Sequence, residues 1–204
     1  MAVDEWLLET AHVPVLRVYR WAGDWASIGY FAKSAGAAAR FPGLNLVRRW
    51  TGGGIVDHRA DWTYTLVAPH GEPLAGWRGA ESYRRIHAVL AETLIAEGVA
   101  ARANLGGGEA GSMFCFESPV VHDLLGEDGS KIAGAGQRRS RQGLLHQGSI
   151  SPGPGDEVHS TARAKDFAGR LAKDWKAIQI QPDSSEISGR IKTRYALHEW
   201  THRR

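Results

Sequence analysis

RRWTGGGIVDH (residues 48–58) is the stretch on which the reading of this chain turns. A strand pattern, LNLVRRW (44–50), runs straight into Gly52, Gly53 and Gly54. Glycines after a strand let the backbone pass very close to a neighbour and adopt conformations closed to other residues. Their N–H groups can face an acyl carbonyl or a phosphate. The stretch is not a P-loop, because the G-K-[ST] ending is missing. Taken alone, it reads more readily as a glycine-rich hairpin, since tight turns are the commoner use of glycine.

Working outward, AVDEWLLE (2–9) reads as a short helix, and PVLRVYRW (14–21) alternates as a strand does. ASIGYF (26–31) and DWTYTLVAP (61–69) are two further strands. ESYRRIHAVLAETLIAEG (81–98) is the clearest helix: Tyr83, Ile86, Leu90 and Leu94 recur at three- and four-residue steps, and Gly98 stands where a cap belongs. A short strand, VAARANL (99–105), a loop, GGGEAG (106–111), and the segment FCFESPVVHDLL (114–125) follow. KIAGAGQRR (131–139) reads as a strand entering a small-residue loop, GLLHQGSI (143–150) as a strand, and two helices near 160–173 and 184–200 finish the chain. The order lacks regular βαβ alternation, so the expected class is α+β, with a mixed, largely antiparallel sheet flanked by helices. No repeat or linker divides the chain, and residues 1–204 are expected to form a single domain.

Lys and Arg outnumber Asp and Glu by 25 to 22, and the basic bursts Arg48-Arg49, Arg138-Arg139-Ser140-Arg141 and Arg203-Arg204 are short and scattered. Nucleic-acid binding needs a clustered patch, so no such partner is expected. The one cysteine, Cys115, rules out an internal disulfide and suits a reducing cytoplasm. No apolar run approaches the roughly 20 residues of a membrane span.

Three further residues carry possible chemistry. Lys131, beside Ala133-Gly134-Ala135-Gly136, can hold a carbonyl oxygen or phosphate as charge develops, or can be an ordinary surface lysine. Cys115, between Phe114 and Phe116, is by local context a small buried hydrophobe; a reactive thiolate needs Lys131, His146 or Arg49 nearby. His198-Glu199-Trp200-Thr201-His202 matches H-E-x-x-H, but a zinc site also needs a third ligand, and only Arg203 and Arg204 follow.

RRWTGGGIVDH with Tyr64, then KIAGAGQRR, then LLHQGSI, in that order, closely resembles the lipoate–protein ligase A / octanoyltransferase family, which shares the catalytic fold of biotin protein ligase. The resemblance runs from AVDEWLL to RYALHEWTHRR. CFESPVVHDLLGEDGSKIAG is most like the cysteine-dependent octanoyltransferases. It implies that Cys115 takes the acyl group as a thioester and that Lys131 contacts the acyl carbonyl. Arg49, Gly52, Gly53, Gly54 and His58 match the acyl-pocket motif, and Gly134, Gln137, His146 and Gly148 its second half. The implied activity moves an octanoyl or lipoyl group from acyl carrier protein to a lysine of a lipoyl domain or of the glycine cleavage H protein, with neither metal nor nucleotide. The alternative on the same fold is an ATP- and Mg-dependent ligase working through lipoyl-adenylate; a further one is a relative that binds lipoyl domains without modifying them. The family usually has a strand before the helix that AVDEWLL matches, so either an edge strand is missing or the start lies elsewhere. The family also gives the tail a plainer role than zinc binding, as the end of a last helix packed through Trp200.

Overall fold

In the computed structural model the described residues are 1–77, 79–106 and 120–203. Cys115 and most of GGGEAG lie outside them. The chain opens with α1 (Ala2–Thr10), β1 (Val15–Tyr19) and β2 (Trp25–Ile28). A short helix, α2 (Ser34–Arg40), precedes β3 (Asn45–Arg48); the glycine loop follows, then β4 (Ile55–Asp57) and β5 (Trp62–Pro69). One turn, α3 (Pro73–Gly76), leads into the long helix α4 (Ala80–Ala96). Next come β6 (Arg102–Ala103), β7 (Leu124–Leu125), β8 (Lys131–Ser140), β9 (Gly143–Ile150) and α5 (Glu157–Leu171). The C-terminal part holds α6 (Ser184–Arg190), a π-helical turn Ile191–Tyr195, and α7 (His198–Thr201).

Six strands form an antiparallel sheet in the order β1-β5-β9-β8-β7-β6, with β1 at one edge. A second sheet, β3-β2-β4, pairs β2 parallel to β3 and antiparallel to β4. The alternation in DWTYTLVAP explains the layering, since successive strand side chains point to opposite faces. Trp62, Tyr64 and Leu66 meet Ile86, Leu90 and Leu94 of α4 and Phe167 of α5. Val67 points the other way, onto Leu7 and Leu8 of α1. Ile86, Leu90 and Leu94 are fully buried, and each contributes about 1.5–3 kcal/mol relative to exposure. The α4 stripe read from sequence is therefore the inner face of the helix, and Gly98, at φ +82°, follows its end.

Several sequence expectations change. KIAGAGQRR does not enter a loop: β8 is one strand of ten residues. Its small residues carry no apolar alternation because other groups lie against them, as described below. VAARANL supplies only the two-residue β6. The last helix is broken into α6, a π turn and α7, so HEWTH begins a helix of four residues and His202 caps it. Trp200 does pack this segment down, through its Nε1–H to the Arg48 carbonyl at 3.1 Å. The His198 and His202 rings stack on each other at 4.1 Å. Among the described residues no group of three His, Cys, Asp or Glu is placed to hold a metal ion, and no helix is long and apolar enough to cross a membrane.

Candidate active site

The glycine loop is tied down by the residue that introduces it. One guanidinium nitrogen of Arg49 donates to the carbonyls of Gly52 (3.1 Å) and Gly54 (2.9 Å), and the other to the Ser27 carbonyl (2.9 Å) and Oγ (2.6 Å). Gly53 sits at φ +93°, in the region that favours glycine. Thr51 Oγ1 donates to Gln147 Oε1 at 2.8 Å, anchoring the loop to β9. The loop then lies directly on β8: a Cβ at Gly136 would stand 2.5 Å from the Gly52 carbonyl oxygen. Gly136→Ala is therefore expected to cost about 1–3 kcal/mol, the range for forcing extra carbon into a packed site. A thermal melt checks it, and an unchanged midpoint would show that the loop yields freely.

Where the two sheets meet, a cavity opens. Its walls are Gly134, Ala135 and Gly136 of β8, Gln147, Gly148 and Ser149 of β9, and Ser27, Arg49, Val56 and His58. A buried polar chain runs along its floor. Ser27 Oγ lies 2.6 Å from His58 Nε2, and His58 Nδ1 lies 2.7 Å from Asp61 Oδ2. The same carboxylate oxygen accepts from Thr63 (2.9 Å) and Ser149 (2.5 Å). Trp21 stacks on the imidazole at 4.2 Å. Burial pulls the His58 pKa below its usual value, against the opposing pull of Asp61. A neutral ring donating Nδ1–H to Asp61 and accepting the Ser27 hydroxyl satisfies both contacts. The chain fixes Arg49 through Ser27, and with it the glycine loop.

Lys131 does not line this cavity itself; it is buried against Gly134, one of the residues that do. Its Nζ pairs with Asp123 Oδ2 at 2.6 Å, and both side chains are almost wholly removed from solvent. The other carboxylate oxygen accepts the Tyr83 hydroxyl at 2.5 Å, and the Val120 N–H donates to Oδ2 at 2.7 Å. Strand β7 stops opposite Ala133, and Tyr83 takes over at the edge beyond it, accepting the Ala135 N–H at 2.8 Å. Gly134 makes the room: a Cβ there would be 2.5 Å from Lys131 Cε and 2.7 Å from Nζ. An ammonium held over a cavity wall is suited to stabilising an oxyanion.

Gln137 and His146 are a different matter. They sit opposite each other on β8 and β9, but face α4, away from the cavity. His146 Nε2 lies 3.0 Å from the Tyr64 hydroxyl and Nδ1 lies 2.9 Å from Gln137 Nε2, while Gln137 Oε1 accepts from Ser82 at 2.9 Å. The resemblance puts both in the acyl pocket; neither borders this cavity, because strand alternation turns their neighbours Gly136 and Gln147 toward it instead. Gly148 borders the cavity through its backbone, and on the α4 side its missing Cβ leaves space for the Tyr64 ring, 2.2 Å from where that carbon would be. Sequence reasoning missed Asp123, Tyr83, Ser27, Asp61 and Gln147. No local motif marks Ser27 or Asp61; Tyr83 belongs to the helix stripe already recognised, and Gln147 and Asp123 lie within quoted blocks in which other residues were singled out.

The α4 face also holds His87, 1 % exposed, with Nδ1 at 2.7 Å from the His122 carbonyl oxygen. Burial, partly offset by Asp123, pushes its pKa down to about 4. The unfolded chain therefore takes up a proton near pH 6.5 that the folded one refuses until about pH 4. Its contribution is complete above pH 6.5 and is lost as pH falls, amounting to about 3 kcal/mol by pH 4. Denaturant titrations should show that decline. His87→Asn, which keeps a donor but does not titrate, should flatten it; an equal slope in the variant would contradict this assignment.

The family model of the lipoyl protein ligase A/B catalytic domain matches residues 1–156. An octanoyltransferase LipM of Brevibacillus brevis is 34 % identical over 166 residues, covering 74 % of this chain and 60 % of that protein. The octanoyltransferase LipM of Staphylococcus aureus is 33 % identical over 166 residues, with the same shares. The chain thus spans about 60 % of the length of these relatives. Among solved structures, a putative lipoate protein ligase of T. acidophilum with bound lipoic acid superposes with a TM-score of 0.73 at 20 % identity, covering 98 % of this chain and 91 % of that one. A lipoate-protein ligase A bound with ATP gives 0.73 at 19 %, over 98 % and 92 %. These two establish the fold, which is the α+β arrangement expected from the sequence. With three ordered motifs, one fold and a family match over most of its length, the chain belongs to the lipoyl protein ligase A/B catalytic domain family.

Proposed function

We propose that this chain is an acyltransferase of lipoate metabolism, working in the cytoplasm. It takes an octanoyl or lipoyl group from acyl carrier protein and passes it to a lysine of a lipoyl domain or of the glycine cleavage H protein. The observation that carries the reading is the buried Lys131–Asp123 pair held against Gly134, a wall residue of the cavity that Arg49 and His58 also line. The naming of relatives at 33–34 % identity as octanoyltransferases supports it.

In the first step the Cys115 thiolate attacks the carrier thioester. A new C–S bond forms, the old one breaks, and the carrier thiolate leaves and is protonated. In the second step the acceptor amine attacks the Cys115 thioester, loses a proton, and expels the cysteine as an amide forms. Negative charge builds on the same carbonyl oxygen in both steps, and Lys131 is the group that stabilises it. Arg49 and His58 keep the loop and the cavity floor in place. The chemistry takes no metal and no nucleotide.

Two reactions on one lipoyl domain test this. One tube receives octanoyl–acyl carrier protein without ATP; the other receives free lipoate with ATP and Mg. Modification in the first tube alone is the expected result. Modification in the second alone would make the chain a ligase, and modification in neither, with binding to the domain retained, would make it a non-catalytic relative.

A further inference from the structure

The fold brings together what the sequence scatters. Arg48, Arg138 and Arg203 come from three separate basic bursts, and all three meet at the turn after β2. The Arg48 side chain is fully buried and donates to the carbonyls of Gly29, Tyr30, Ala32, Trp200, Thr201 and Arg203. It straps the C-terminal segment to that turn. Over the seam, guanidinium groups interleave with aromatic rings. Arg203 lies 3.5 Å from the Tyr30 ring centre and 4.6 Å from that of Trp200. Arg138 lies 5.2 Å from Tyr30 and 4.5 Å from Trp50. Arg194 also packs on Trp50, at 4.5 Å, but is neutralised by Glu5.

Among the described residues, no carboxylate lies within ion-pair distance of Arg48, Arg138 or Arg203. Arg138 Nε is buried with no hydrogen-bond partner. Beside this cluster Phe31 packs edge-on against Tyr30 at 4.9 Å while remaining 86 % exposed. The face adjoins the glycine loop: Trp50 precedes Thr51, the Tyr30 N–H bonds the Thr51 carbonyl at 2.8 Å, and Arg138 is two residues beyond Gly136.

We infer that this arginine–aromatic face docks the acidic surface of the protein that delivers the acyl group. The inference rests on the acyl-transfer reading above. Arg48 is buried and only braces the seam, but the Arg138 and Arg203 guanidiniums, with no carboxylate beside them among the described residues, attract carboxylates and phosphates and can hydrogen-bond them. Stacking on rings holds those groups in place, so less freedom is lost on binding. Phe31 supplies an apolar anchor at the rim. A donor that carries its thioester on a phosphate-linked arm offers both kinds of anion. The acceptor instead brings a cationic lysine, which this rim repels, so the donor is the occupant the charge favours.

The test uses the full chain and its variants Arg138→Glu, Arg203→Glu and Arg138→Lys. Calorimetry measures binding to acyl carrier protein at low and high salt. Steady-state rates compare octanoyl–acyl carrier protein with octanoyl-pantetheine, a small thioester without phosphate. Each Glu variant is expected to raise Kd and KM for the carrier on the order of ten-fold and to flatten the salt dependence. KM for the small thioester stays near wild type, and Arg138→Lys, which keeps the charge, stays close to wild type with both donors. An equal loss with both donors, or a change confined to the acceptor, overturns the inference. If wild type moves no octanoyl group but binds the carrier in an arginine-dependent way, the transfer reading fails and the docking stands. If it acylates the acceptor from the small thioester but carrier binding ignores both Glu substitutions, the docking fails and the transfer reading stands.

Discussion

Cys115→Ala should abolish octanoyl transfer, with a loss on the order of 10³-fold or more, as removal of a covalent nucleophile does elsewhere. The first step needs a sulfur to receive the acyl group, and Cys115 is the chain's only cysteine. Its reactivity depends on the thiolate, which nearby positive charge favours. Of the three side chains suggested for that task, His146 is eliminated. Both of its ring nitrogens are engaged on the α4 face, and burial, with His87 adding to it, holds it well below the usual histidine pKa, so it stays uncharged. Lys131 and Arg49 remain, Arg49 lining the cavity and Lys131 packed against its wall residue Gly134. A lipoylation assay with octanoyl–acyl carrier protein gives the answer. Wild-type turnover in Cys115→Ala would mean that no covalent intermediate is needed.

Lys131→Ala is expected to lower kcat by on the order of 10²-fold or more, since it removes the donor aimed at the developing oxyanion. The loss should fall on both half-reactions, because the same oxygen becomes negative in each. Asp123 is coupled to it. Asp123→Asn would leave a buried ammonium without its counter-charge, and breaking a buried pair typically costs about 3–5 kcal/mol. That variant should therefore melt earlier as well as turn over more slowly. Lys131→Met fills the space without a charge and separates the two effects. Normal kcat in Lys131→Met, measured with saturating donor, would show that the ammonium has no part in the chemistry.

The fold was largely legible because its main elements are periodic. The apolar stripe of α4 and the alternation of β5 are both satisfied by one sheet packed between α1 and the α4–α5 layer. β8 was only half read. Its Gly134 and Gly136 look like loop residues, yet each is small because something specific lies on it, the Lys131 side chain in one case and the Gly52 carbonyl in the other. Where residues are contiguous, as with Arg49, the glycines and His58, the sequence already shows that they lie together, and the structure places Arg49 and His58 on one cavity. The site was not legible where partners come from distant segments. Asp123 and Tyr83 act through strand order and a helix edge, and Ser27 and Asp61 act through the meeting of β2 with the β4–β5 connection. Gln137 and His146 face α4 rather than the cavity because a motif in a strand spreads over two faces, and resemblance alone does not say which residue faces which side. The arginine cluster was hidden for the same reason as Asp123, since its members are far apart in sequence.

The central claim, that an acyl group passes through Cys115, is tested most directly by intact-mass measurement after mixing the chain with octanoyl–acyl carrier protein and no acceptor. The expected result is a mass increase of one octanoyl group, reversed by hydroxylamine, absent in Cys115→Ala and discharged on adding a lipoyl domain. An unmodified chain that nonetheless octanoylates the lipoyl domain, or an adduct that persists in Cys115→Ala, would contradict it.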